Sequence, residues 1–211
     1  MWRIVPAGES ALLVDLGQSI DERILGQVLG LDAALSRNRP LGLRRPIPAY
    51  ASLLCPFDPL VLEPARLEAL IREIEPTVVA QPPDGRRLVV PVRYDGPDLA
   101  RVAERSGLGV SQVIEAHAGR DYLVYAIGFA PGFAYCGEVA PSLATPRLPS
   151  PRASVPAGSI GIAGRQTGIY AVESPGGWNL VGRTELTLFD PVEDPPARLR
   201  PGDRVRFEPV L

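Results

Sequence analysis

The sequence predicts an α+β protein of two domains, a mixed layer of helices and strands followed by a strand-rich barrel. Three observations carry this. Helix and strand signals alternate over the first 80 residues, and a proline- and glycine-rich stretch follows. Past Tyr122 helix signals stop, while short strand-like runs continue to the end. A length of 211 residues suits two small domains.

Each element has a local reason. Residues 11–16 (Ala-Leu-Leu-Val-Asp-Leu) read as a strand, with residues 2–5 as its partner. Ser19-Ile-Asp-Glu22 matches a capping box, in which hydroxyl and carboxylate each satisfy an unpaired N–H at a helix start. Ile24, Val28, Leu31 and Leu35 then fall on one helical face. Residues 44–49 and 52–57 read as two strands around Ala49-Tyr50-Ala51. Pro64 suits a first helical turn, and Leu67, Leu70, Ile71 and Ile74 mark that helix's buried side. This order suggests the split β-α-β motif of ferredoxin-like folds. The stretch 75–86, with Pro82-Pro83 and Asp84-Gly85, is the best linker candidate, giving domains over 1–80 and 86–211. In the second domain residues 88–94 form a strand, and 99–105 and 110–117 form short helices. Strands over 123–127, 159–163, 169–172, 180–184, 186–189 and 204–207, separated by Gly/Pro turns, read as a closed or nearly closed barrel.

Composition narrows the function. A formal charge of −2 creates no field that draws nucleic acid or an anionic membrane, and no RNA-binding aromatic signature is present. No run of about 18 apolar residues and no secretory signal appear, so the expected address is the cytoplasm. Cys55 and Cys136 cannot form a disulfide framework, and one histidine without clustered cysteines argues against a structural metal site.

The chemistry concentrates between Ile127 and Asp190. Gly128-Phe-Ala-Pro-Gly-Phe-Ala-Tyr-Cys-Gly137 sets Phe129, Phe133 and Tyr135 among glycines, offering flat apolar surfaces to a ligand or simply capping the barrel core. The proline-rich run 145–156 is a stiff track that presents Arg147 and Arg152, each able to bind carboxylate or phosphate in bidentate fashion or to stand solvated at the surface. Gly158-Ser-Ile-Gly-Ile-Ala-Gly164 is flanked by strands and so is not a dinucleotide fingerprint, and no phosphate-loop pattern occurs. Gln166, Thr167 and Tyr170, then Glu173 and Ser174, supply donors and acceptors. Gly176-Gly177 can expose N–H groups to an anion or make a plain turn, and Trp178 can shield a ligand or fill the core. His117, two residues before Gly119, can move a proton near neutral pH or cap helix carbonyls. Cys136 lacks an activating neighbour, and Cys55 lies in an apolar strand.

Taken in order, Gly128-Phe-Ala-Pro-Gly-Phe133, Ala144-Thr-Pro-Arg147, Val155-Pro-Ala-Gly-Ser159, Gly161-Ile-Ala-Gly164, Gln166-Thr-Gly-Ile-Tyr170, Glu173-Ser-Pro-Gly-Gly-Trp178 and Gly182-Arg-Thr184 resemble the family of the 5-oxoprolinase B subunits. That family includes the kinase inhibitor KipI and is also called allophanate hydrolase subunit 1. Gly8-Glu-Ser-Ala-Leu-Leu13, Pro48-Ala-Tyr50 and Asp58-Pro-Leu60 extend the resemblance over essentially the whole chain. Ala130, Ala134, Cys55 and Cys136 depart from its pattern. The resemblance implies a ferredoxin-like domain followed by a cyclophilin-like β-barrel. It also implies an ATP-using complex with C-type (KipA-like) and A-type subunits that together open 5-oxoproline to glutamate. Its alternatives are inhibition of a sensor histidine kinase, or a carboxyltransferase module of a biotin-dependent urea carboxylase. On this reading His117 and Glu173 are the catalytic candidates. Phe129, Phe133, Arg147, Arg152, Gln166, Thr167, Tyr170, Ser174, Gly176, Gly177 and Trp178 are the substrate-binding ones.

Overall fold

A computed structural model describes residues 1–80 and 83–210. The chain divides into two compact units, Met1–Asp84 and Gly85–Leu211. Of the expected linker, residues 81 and 82 lie outside the described residues, and Glu75–Thr77 makes one 3-10 turn.

The first unit has strands β1 (Arg3–Pro6), β2 (Ala11–Asp15), β3 (Ile47–Ala49) and β4 (Ser52–Pro56), with helices α1 (Glu22–Arg37) and α2 (Pro64–Ile74). The sheet order is β1-β2-β4-β3, and each neighbouring pair is antiparallel. It follows that β2 and β3, joined through α1, run parallel with β4 between them. The α1 cap differs from expectation. Asp21, not Ser19, is the N-cap, and its carboxylate accepts from the N–H groups of Arg23 and Ile24. Pro64 does open α2. Of the strand expected over 44–49 only the last three residues join the ladder; Arg44 N–H still reaches the Pro56 carbonyl at 2.8 Å, but Pro46 has no N–H to continue the pairing. Val28, Leu31, Leu35, Leu53, Cys55, Leu67 and Ile71 fill the core.

The second unit begins with β5 (Arg87–Val92), α3 (Leu99–Ser106) and α4 (Val110–Ala118). Strands β6 (Asp121–Ile127), β7 (Ala134–Glu138), β8 (Arg152–Val155), β9 (Ser159–Ala163), β10 (Gln166–Ile169), β11 (Ser174–Gly176), β12 (Asn179–Arg183) and β13 (Arg204–Pro209) follow. Antiparallel pairing runs β6-β7-β10-β9-β12. β13 lies between β5, to which it is parallel, and β6, while β8 and β11 form a separate ribbon. Three strands were not expected: β7 lies in a Gly-aromatic run that reads as a loop, and β8 and β11 lie in proline-rich ones. Conversely, residues 186–189 make no strand; Phe189 bridges Ala197 alone, since Pro191, Pro195 and Pro196 strip donors from the returning segment. The strand expected over 169–172 is not there: β10 lies three residues earlier and ends at Ile169, following a tight hairpin through Gly164, a glycine at φ 56°. Val102 of α3 and Val113 of α4 join Val124, Ile160, Ile162, Val181 and Phe207 in the core of this unit.

Candidate functional site

One cavity of about 290 Å³ collects most of the expected binding residues. Its centre is Phe133, which meets four rings edge-on: Tyr135 at 4.7 Å, Tyr170 at 4.9 Å, Trp178 at 5.4 Å and Phe129 at 5.6 Å between centroids. Phe133 is 1% exposed and Trp178 5%, whereas Phe129 is 63% exposed. Phe129 also sits at φ 68°, a left-handed conformation that a bulky residue adopts at a cost of about 1–2 kcal/mol. The turn through Ala130-Pro-Gly132 holds it there, with Phe133 N–H bonded to the Ala130 carbonyl at 3.1 Å.

Two glycines let the rings close up. A Cβ at Gly168 would stand 2.9 Å from Trp178 Cζ3 and 3.0 Å from Phe133 Cζ. At Gly176 it would collide with the Tyr170 hydroxyl. Arg147, Pro151, Pro175 and Gly177 complete the lining. Arg147 is exposed, and among the described residues no carboxylate pairs with it. Burial raises the pKa of both Tyr135 and Tyr170, and the nearby Arg147 charge works against that rise. The pocket therefore offers aromatic faces and one unpaired guanidinium, with no carboxylate or imidazole in its lining.

Several expected residues lie elsewhere. His117 is a correction: it is fully buried in the core of the second unit, stacked on Phe207 at 4.6 Å, and does not line the pocket. Its Nδ1 is 2.7 Å from the Tyr94 hydroxyl and its Nε2 is 2.9 Å from Thr167 Oγ1. Thr167 donates its own proton to the Gly161 carbonyl at 3.1 Å, so it must accept from Nε2–H, and Nδ1 must accept from Tyr94. Burial pushes the imidazole down to about 3, which keeps it neutral at ordinary pH. A neutral, doubly bonded, sealed imidazole has no route to a substrate proton. Thr167 is likewise buried within this chain of bonds rather than in the pocket.

Arg152 is a second correction. Both Asp98 oxygens take hydrogen bonds from it at 2.8 Å, so it is not available to a ligand anion. Glu173 is exposed and accepts from Ser154 Oγ at 2.8 Å, outside the lining. Ser174 Oγ is buried without a hydrogen-bond partner, and Gln166 is half-buried at the start of β10; neither lines the pocket. Cys136 is sealed, and burial pushes its thiol up to about 12, far from a nucleophile's range. Tyr135, Pro151 and Pro175 are pocket residues beyond the expected set. Tyr135 was legible as an aromatic of the same loop, while the prolines carried no signal apart from turn chemistry. Among the described residues no group of three or more His, Cys, Asp or Glu side chains could hold a metal.

Residues 2–199 match the carboxyltransferase domain, subdomain C and D. The chain belongs to that family, in the company of the B subunits of 5-oxoprolinase. It is 39% identical to the 5-oxoprolinase B subunit of Bacillus subtilis over 98% of this chain and 92% of that protein. It is 37% identical to that of Haemophilus influenzae over 97% and 96%. Among solved structures, TTHA0988 superposes with a TM-score of 0.86 at 41% identity, covering all of this chain and 40% of that longer one. The urea carboxylase of Kluyveromyces lactis shares the fold at a TM-score of 0.80 and 20% identity, with this chain spanning 22% of its length.

Proposed function

We propose that this chain is the B-type subunit of an ATP-dependent 5-oxoprolinase complex, in which its aromatic pocket supplies half of a composite site. The observation that carries this is the imbalance of the pocket. It has apolar walls and Arg147 to hold a ring and an anionic oxygen, but no carboxylate or imidazole to move a proton near neutral pH; burial raises the pKa of its two tyrosines. Opening a stable lactam requires activation, and transfer of the ATP γ-phosphoryl group to the amide oxygen releases ADP and activates the ring carbon. One water then adds to that carbon, the C–N bond breaks with a proton passing to the nitrogen, and the γ-carboxyl is left as an acyl phosphate. A second water cleaves the acyl phosphate to glutamate and phosphate. The developing charges need cations and a proton acceptor. The chain has no lysine anywhere in its 211 residues, so the lysine that commonly cradles nucleotide phosphates would come from a partner. Partners of C and A type complete the site, ATP binds in the assembled complex, and the cytoplasm is the location that suits two buried free thiols.

The parallel β2-α1-β3 crossover split by β4 supports reading the first unit as ferredoxin-like. The strand-closed second unit supports a cyclophilin-like barrel, a likeness of fold that carries no isomerase activity with it. The absence of lysine leaves no biotinylation point in this chain, so a carboxyltransferase role would need a separate carrier.

The test is 5-oxoproline-dependent ATP hydrolysis by the chain alone and by the chain with its A- and C-type partners. Activity should need all three. Arg147→Leu should lower kcat/KM of the complex by about 10- to 100-fold, the worth of one charge-assisted hydrogen bond. Full turnover by the isolated chain overturns the shared site.

A further inference from the structure

We propose that Asp98 and Arg152 are positioning residues that hold the indole wall of the pocket in place through the backbone of β12. The assignment rests on the pocket being the working site. Asp98 is the N-cap of α3, where an aspartate ordinarily bonds the free N–H groups of its own helix, yet its side chain makes no such bond. The carboxylate turns instead to β12. Its Oδ2 accepts from the Leu180 N–H at 2.7 Å, and both of its oxygens accept from Arg152 Nη2 at 2.8 Å. Arg152 Nη1 in turn donates to the Trp178 carbonyl at 3.3 Å. One carboxylate and one guanidinium thus grip the two peptide groups on either side of Asn179, and Trp178 is the residue next to that grip.

The same helix start reaches the other side of the pocket. Arg101 Nε donates to Asn179 Oδ1 at 3.0 Å, and Asn179 Nδ2 donates to the carbonyls of Pro146 and Ile162 at 2.9 Å. Pro146 immediately precedes Arg147. The two groups most able to recognise a ligand, the Trp178 ring and the Arg147 guanidinium, are therefore each one residue from a bond anchored at the first turn of α3. Asp98 is 7% exposed, so water has little access to the carboxylate at the centre of the grip. A single nitrogen, Nη2, meets both carboxylate oxygens, which an ammonium could imitate; what the planar guanidinium adds is a second nitrogen, Nη1, held to reach the Trp178 carbonyl at the same time.

The experiment uses the full chain carrying Trp2→Phe, which leaves Trp178 as its one indole. Arg152→Lys keeps the charge and loses the fork; Arg152→Met loses both. Fluorescence of both variants should shift to the red, with acrylamide quenching of Trp178 raised about two-fold or more, while far-UV circular dichroism reports a retained fold. The exchange Asp98→Arg with Arg152→Asp restores opposite charges but leaves the Leu180 N–H without its acceptor, and is expected to stay perturbed. Parent-like emission and quenching in a folded Arg152→Lys chain overturn the proposal. So does full recovery in the exchanged pair, which would mark a plain ion pair. Arg152→Lys decides the matter if Arg152→Met does not fold. Because the readout is spectroscopic, an assembly without 5-oxoproline-dependent activity leaves the clamp standing if Trp178 responds. An active assembly whose Trp178 ignores these substitutions leaves the functional reading standing without the clamp.

Discussion

The His117 cluster and the Arg147 pocket lie in the same unit and are built from the same kinds of residue, aromatic rings around one nitrogenous side chain. They differ in how their polar atoms are satisfied. Around His117 every hydrogen-bonding atom has a partner inside the unit, and Tyr94, Thr167 and Gly161 form a closed set with it. The exposed Arg147 guanidinium carries five donors, and among the described residues no carboxylate receives them. A polar group that the fold satisfies stabilises the fold; one that it leaves unsatisfied at a lined cavity is available to something else. The residue type that looked most catalytic belongs to the first class, and the arginine belongs to the second.

Substitutions should separate the two regions, beginning with the largest effect. His117→Ala removes a stacked, fully buried ring and leaves the Tyr94 hydroxyl without its acceptor, and should cost about 3–5 kcal/mol in urea unfolding. A loss below about 1 kcal/mol would deny the cluster its structural role. The next effect is on pH dependence. With the folded imidazole held at about 3 and the ordinary value at 6.5, the unfolded chain takes up a proton below pH 6.5 and the folded chain does not. Stability present above pH 6.5 is thus lost on acidification, at about 1.4 kcal/mol per pH unit down to the folded value. Between pH 7.5 and pH 5, His117→Gln should lose about 2 kcal/mol less than the parent does. Identical losses would show that the imidazole is not buried and neutral. The smallest effect belongs to Arg147→Leu, which should change unfolding stability by no more than about 0.5 kcal/mol, since no partner is broken. A large drop would mean that the guanidinium is structural, erasing the contrast.

What the sequence made legible followed from local rules. The hydrophobic face of α1, the proline that opens α2, and the strand β9 all declare themselves within ten residues. The sequence singled out the aromatic loop and Gly176, and the cavity gathers them; Gly168, whose missing Cβ lets Trp178 and Phe133 close up, carried no signal inside its strand. The failures were non-local. Arg147 and Arg152 share one proline track, and only the fold reveals that the second meets Asp98, 54 positions away. His117 ends a helix, and nothing nearby says that its ring turns inward to Phe207 rather than outward. Strand β7 was missed because its Gly, Cys and Tyr residues pair through β6 and β10, partners that composition cannot name.

The bonds through His117 also run one way. Tyr94 gives to Nδ1, Nε2–H gives to Thr167, and Thr167 gives to the Gly161 carbonyl, so every hydrogen points towards β9. A row of hydroxyls and imidazole elsewhere serves to carry protons, but a carrier needs an exit. This row terminates on an amide oxygen too weakly basic to pass a proton onward, already engaged inside a β-strand. It is a girder in the form of a wire, tying α4 to β10 and β9 and conducting nothing.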